Sequence, residues 1–222
     1  MTGSTIVILS VGTLLMAITV IVGLKRYCLP VWKCVPISLA LLVVGTLGTY
    51  LLFWLENQRF GGRSFYGAVF LVPIVLLPFA RIVRISYADL MDVSAPAGYM
   101  MLILMKIGCL MNGCCEGRIL FFSNDMIPIR FPSQWVELIV AAILYVTLMT
   151  MEFLKKQRGN LYAWFLILYG CTRFVLNIFR AEWVTTDMLL PFGNIWSICA
   201  VIFGVMALRI RHYRELRNAP TK

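Results

Sequence analysis

The chain has 222 residues, 61% of them hydrophobic and only 14% charged, with a mean hydropathy of +0.86. Soluble domains run nearer about 45–50% apolar and about 25% charged, so this composition implies a polytopic membrane protein and excludes a water-soluble enzyme. The excess of 20 Lys and Arg over 10 Asp and Glu does not point to nucleic acid, because no basic stretch is interleaved with stacking aromatics in a soluble segment.

Seven apolar segments are predicted to cross the ~30 Å hydrocarbon core as helices in a single all-α transmembrane domain covering residues 1–222. The first, 5–24, has no basic n-region or small-residue cleavage site before it, and is expected to remain as a helix. The second is 36–55. The third, 65–80, is short and carries Pro73 and Pro78, which predicts a kinked or partly re-entrant segment. The fourth, 93–111, contains Lys106. The fifth, 135–154, follows Pro132-Ser133, where Ser133 fits a helix cap with Glu137 one turn in. The sixth, 161–179, contains Arg173, and the seventh, 192–210, leads into a basic tail over 211–222.

Charge orients this bundle. Lys25, Arg26, Lys33, Arg81, Arg84, Lys155, Lys156, Arg158 and the tail residues Arg209, Arg211, Arg214, Arg217 and Lys222 all fall on one side. Only Arg59, Arg63, Arg118, Arg130 and Arg180 fall on the other. By the positive-inside rule the N-terminus is expected outside and the C-terminus in the cytoplasm.

The outer ends of five spans then share one polar layer. It contains Arg63, Ser64 and Tyr66; Lys106, Asn112 and Glu116; Ser133, Gln134 and Glu137; Arg173, Asn177 and Arg180; and Asn194 and Ser197. The cytoplasmic ends are expected to hold little beyond the orienting Lys and Arg. Ionisable residues at membrane depth are candidate functional sites, although Lys106 also lies close enough to a helix end to snorkel. In the sixth span Tyr169, Arg173, Asn177 and Arg180 share one helical face. Arg173 and Arg180 stand about 10 Å apart along the axis. That stripe must face protein or water, either as interhelical glue or as a guanidinium site for a phosphate diester.

The seven cysteines do not make a metal site. Cys109, Cys114 and Cys115 cluster without a histidine, the only one being His212 in the tail, whereas zinc needs four ligands. A disulfide within the cluster stays open, and Cys28, Cys34, Cys171 and Cys199 are expected to be small packing residues.

Taken as an ordered series, these segments resemble the prolipoprotein diacylglyceryl transferase family. GGRSFYGAVF (61–70) is similar to the family's Gly-Gly-x-x-x-His-Gly stretch, and ADLMDVSAPA (88–97) resembles its lead into the fourth span. KIGCLMNGCCEGR (106–118) resembles the family signature Gly-Arg-x-Gly-Asn/Cys-Phe-x-Asn-Gly, and FPSQWVE (131–137) resembles His-Pro-Ser-Gln-Leu-Tyr-Glu. LYGCTRFVLNIFR (168–180) is similar to Leu-Tyr-Gly-x-x-Arg-Phe-x-x-Glu-x-x-Arg, and the likeness runs from about residue 61 to 200.

The resemblance implies a multi-pass enzyme of the bacterial cytoplasmic (inner) membrane. It would transfer the diacylglyceryl group of phosphatidylglycerol to the lipobox cysteine of a prolipoprotein, without a metal or other cofactor. It assigns Arg173 to the phosphate, Lys106 to the signature arginine's place and Tyr66 to the histidine's. Asn112, Gly113 and Gly117 would shape the headgroup pocket, and Gln134, Glu137 and Arg180 would hold the adjoining network.

The chain also departs from the family pattern. Lys106 loses the bidentate fork of arginine, and Tyr66 puts a phenol of pKa near about 10 where the family has an imidazole. Asn177 replaces a Glu, Cys109 stands where many members have Asn, and the stretch 119–130 is far shorter than the family's. Two other readings are therefore carried: a related transferase with a different acceptor, and a non-catalytic protein that binds anionic phospholipid.

Overall fold

A computed structural model describes residues 3–59, 62–113, 117–122, 128–154, 158–180 and 191–218. Seven long helices dominate: α1 (Gly3–Arg26), α2 (Cys34–Asn57), α3 (Phe65–Val83), α4 (Tyr87–Asn112), α5 (Ser133–Phe153), α6 (Leu161–Ile178) and α7 (Phe192–Asn218). A 3-10 turn, Val31–Lys33, precedes α2. The helices from α2 to α7 are long and apolar enough to cross a membrane, and α1, at 24 residues, matches them in length.

Lipid explains the surface. Leu14, Leu39, Ile74, Ile82 and Val146 are all 58% exposed or more, which would be costly in water and is neutral against acyl chains. Inside, α4 is the common wall of two apolar clusters. One packs Met16, Val20, Leu24, Ile37, Leu76 and Val93 of α1–α4. The other packs Tyr66, Tyr99, Leu102, Ala141, Phe165 and Tyr169 of α3–α6, with Ala200 of α7.

Close helix crossings rest on glycine. Gly67 of α3 lies so near α2 that a Cβ there would overlap the Gly48 carbonyl. Such small-residue contacts hold helices together where lipid offers no hydrophobic drive.

The segment with Pro73 and Pro78 is assigned as one helix of 19 residues. The structure differs from the sequence expectation at two helix boundaries and in one added element. Helix α4 begins at Tyr87, six residues before the predicted span. Helix α7 runs past residue 210 to Asn218; its 27 residues make about 40 Å, so its basic end extends beyond the hydrocarbon. The stretch 119–130, expected only to be short, adds two strands. Strands β1 (Ile119–Phe122) and β2 (Pro128–Arg130) pair antiparallel, with Ile119 opposite Arg130 and Phe121 opposite Ile129. Phe121 and Phe122 are both exposed on this small hairpin.

The end of the bundle expected to hold little beyond orienting cations also carries a buried polar cluster. Asp92, fully buried, accepts hydrogen bonds from the Tyr27 hydroxyl at 3.1 Å, the Leu161 amide at 2.9 Å and the Gly159 amide. It thus serves α6 as a cap supplied by another helix, meeting donors that a helix start leaves free. Burial, and next the Asp92 charge, push the Tyr27 phenol above its ordinary range, so it stays protonated and donating. Nearby Arg158 pairs with both oxygens of Asp89 at 3.0 and 3.1 Å. Sequence reading missed this cluster because Asp92 fell just outside the predicted fourth span.

Candidate active site

The starts of α3, α5 and α7 and the ends of α4 and α6 meet at the opposite end of the bundle. Helix α4 brings Lys106, α5 brings Glu137 and α6 brings Arg173. Lys106 Nζ and Arg173 Nη1 both contact one oxygen, Glu137 Oε2. The three side chains are only 3%, 14% and 3% exposed for Lys106, Arg173 and Glu137. Lys106 therefore turns into the bundle and does not snorkel out of it.

Two cations on one carboxylate leave the knot one positive charge in surplus. Arg180 adds to the field felt at Lys106, Glu137 and Tyr66. A buried charge without full compensation is costly, so this arrangement favours an incoming anion. The other carboxylate oxygen, Glu137 Oε1, has no hydrogen-bond partner among the described residues. Beside it a hollow of about 20 Å³ lies between Tyr99, Leu102, Val140, Tyr169, Thr172 and Arg173.

The sixth-span stripe faces protein. Tyr169 and Asn177 are buried, and Asn177 Nδ2 donates to Asn194 Oδ1 of α7 at 2.8 Å. Tyr66 is not in the cation–carboxylate knot. Its hydroxyl meets Ser197 Oγ at 2.5 Å, and its ring packs against Tyr169 with centroids 5.2 Å apart. Asn194 and Ser197, fully buried, thus tie α7 to the site.

The signature segment forms the rim. Asn112 is exposed and its Nδ2 donates to the Gly108 carbonyl of its own helix at 2.9 Å. Gly113, at φ 62°, closes α4 in the left-handed region with its N–H on Cys109 O, a place that suits glycine. Gly117 pairs with Arg180 in an isolated bridge, and a Cβ there would strike the Phe131 carbonyl. Arg118 N donates to Phe179 O at 3.0 Å and Phe131 N to Arg118 O at 2.9 Å. This stitching holds Arg180 and the start of α5 together. Gln134 is half-buried on the first turn of α5, and Arg63 bonds Tyr50 on the exposed surface at 2.9 Å.

No group of three potential metal ligands occurs among the described residues. Gly61, Cys114, Cys115, Glu116, Lys155, Lys156 and Lys222 lie outside them. Of the cysteines expected to pack, Cys34 is buried, but Cys28 and Cys171 are exposed. They face outward from helix ends and faces where lipid or solvent replaces a packing partner.

The fold and this site define a multi-pass helical membrane protein with a buried cationic centre at one end. A family model described as prolipoprotein diacylglyceryl transferase matches residues 34–210, and the chain belongs to that family. It is 31% identical over 180 residues to a phosphatidylglycerol–prolipoprotein diacylglyceryl transferase of Teredinibacter turnerae, covering 75% of this chain and 63% of that protein. Proteins of the same name from Francisella tularensis subsp. novicida and Geobacter sulfurreducens are also similar. The first is 28% identical, over 67% of this chain and 59% of the relative; the second is 31% identical, over 65% and 60%. The chain thus spans about three fifths of the length of these curated relatives.

Proposed function

We propose that this protein transfers the diacylglyceryl group of phosphatidylglycerol to the lipobox cysteine of a prolipoprotein, at the outer leaflet of the bacterial cytoplasmic membrane. The Lys106–Glu137–Arg173 knot is the observation that carries this reading. A cysteine thiolate attacks the diacylglyceryl carbon that bears the phosphate ester. The carbon–oxygen bond breaks, a thioether forms, and glycerol phosphate leaves with the bonding electrons. The phosphate goes from one negative charge toward two, so cations held ready at that point stabilise the transition state more than the ground state.

Arg173 binds and stabilises the phosphate, and Lys106 meets the developing charge beside it. Glu137 keeps these two like charges from separating before the lipid arrives. The same positive field favours the thiolate of an acceptor whose free pKa is about 8.5. Glu137, paired with two cations, is a poor proton acceptor, and so is a tyrosine at Tyr66; deprotonation is therefore assigned to the field and to water. Arg180, held by its bridge to Gly117, extends the cationic wall, while Asn112, Gly113 and Gln134 border the headgroup from the rim. The concentration of cations at the opposite end supports placing this site on the outer side.

The test is purified protein with labelled phosphatidylglycerol and a lipobox peptide. Thioether product is expected, and Arg173→Ala is expected to lower its rate by at least about a hundredfold, as for loss of one charge-stabilising donor. Lipid retention without product on any thiol would instead make this an anionic-lipid binder. The short β1–β2 hairpin favours one second reading, an acceptor other than a full-sized prolipoprotein; product on small thiols but not on the lipobox peptide would establish it.

A further inference from the structure

A second cavity, of about 140 Å³, lies at the other end of the bundle from Arg173, lined by Arg26, Tyr27, Met151, Glu152, Arg158 and Leu161, with Cys28 at its edge. Along α6, Leu161 and Arg173 are separated by about 18 Å. Two polar atoms of the lining have no hydrogen-bond partner among the described residues: Arg26 Nε, a donor, and Glu152 Oε1, an acceptor. Glu152 is only 5% exposed. Buried groups in this condition are rare and call for a partner.

The neighbours are already engaged. Asp92 accepts from Tyr27, Gly159 and Leu161, and Arg158 holds Asp89. The Arg26 guanidinium carbon lies over the Phe153 ring, 3.6 Å from its centroid. Among the described residues that leaves the Arg26 Nε–H and Glu152 Oε1, whose side chains line the same cavity, with Met151 and Leu161 for a carbon skeleton.

Donor and acceptor chemistry narrows the ligand. A phosphate only accepts, which would satisfy Arg26 and leave the Glu152 Oε1 acceptor unmet. An ammonium only donates, which would do the reverse. An alcohol hydroxyl accepts from Arg26 Nε–H and donates to Glu152 Oε1 together. We propose that this cavity binds a glycerol-type polyol group, with one hydroxyl bridging Arg26 and Glu152. It comes either from a free polyol or from a hydroxylated lipid headgroup of the adjacent leaflet.

Cys28, exposed at the cavity edge, gives a local readout that the active site does not disturb. Its maleimide labelling rate would be followed by peptide mass spectrometry on the full chain in nanodiscs. Three arms are compared: phosphatidylcholine alone, phosphatidylcholine with added glycerol, and phosphatidylglycerol. Slowing by glycerol supports a free polyol, slowing by phosphatidylglycerol supports a headgroup, and both are expected to persist in Arg173→Ala. Glu152→Leu is expected to weaken either protection about tenfold or more, as for loss of a hydrogen bond to a charged group. Arg26→Lys, which keeps the charge but removes the Nε–H, should weaken it as well, and it covers the case in which Glu152→Leu does not fold. Equal labelling in all three arms would overturn the proposal and leave the cavity to water. Protection that survives both cavity variants would overturn it too.

Discussion

At the residue scale the chemistry narrows to one carboxylate oxygen. Glu137 Oε2 is shared by Lys106 and Arg173, so each side chain is placed partly by the other two. Lys106→Arg should keep or raise transfer activity, since a fork can hold the carboxylate and a phosphate together. Lys106→Ala should lose it, as measured by thioether formation. Glu137→Gln is expected to be worse for stability than its size suggests. It leaves two buried cations facing each other, and breaking such a pair costs about 3–5 kcal/mol; a thermal melt in detergent would register the loss. The sequence marked Lys106 and Arg173 openly, because a charge inside an apolar run stands out. It could not show that Glu137 lies between them. Arg173 and Glu137 are 36 residues apart, and only the packing of α4, α5 and α6 makes them neighbours. Asn112 illustrates the same limit. Its motif pointed to a pocket wall, and the sequence could not show that at the rim its side chain also bonds back to its own helix.

At the element scale, hydropathy located the seven long helices among the described residues but misjudged two boundaries and left one connection unread. Helix α4 starts early because Asp92, which a hydropathy window penalises, is satisfied by the amides of Gly159 and Leu161. The hairpin was hidden in ILFFSNDMIPIR (119–130). Two short apolar runs around Ser-Asn-Asp are a hairpin signal, but they are easily passed over beside spans of twenty residues. Asp92→Ala should lower the melting temperature, removing about 1–3 kcal/mol by orphaning those buried donors. The same variant should reduce transfer, since α6 also carries Arg173. An activity loss without a stability loss would count against the capping role.

At the scale of the whole molecule, the bundle has an apolar belt, a polar cluster at each end, and a different charge balance in each cluster. The alternation of spans and the excess of cations on one side were legible in the sequence. The buried acids at that side were not, because they are recognised only by what they bond. The knot at the other end holds two positive groups against one negative, inside a wall that water reaches poorly. An anionic lipid arriving there would do for the assembled chain what a bound ion does for a small metal domain, and contribute to its folding free energy. Survival of this protein should therefore follow membrane lipid composition. In cells depleted of phosphatidylglycerol its half-life under proteolysis should shorten, and Lys106→Gln, which removes the surplus charge, should lose that dependence.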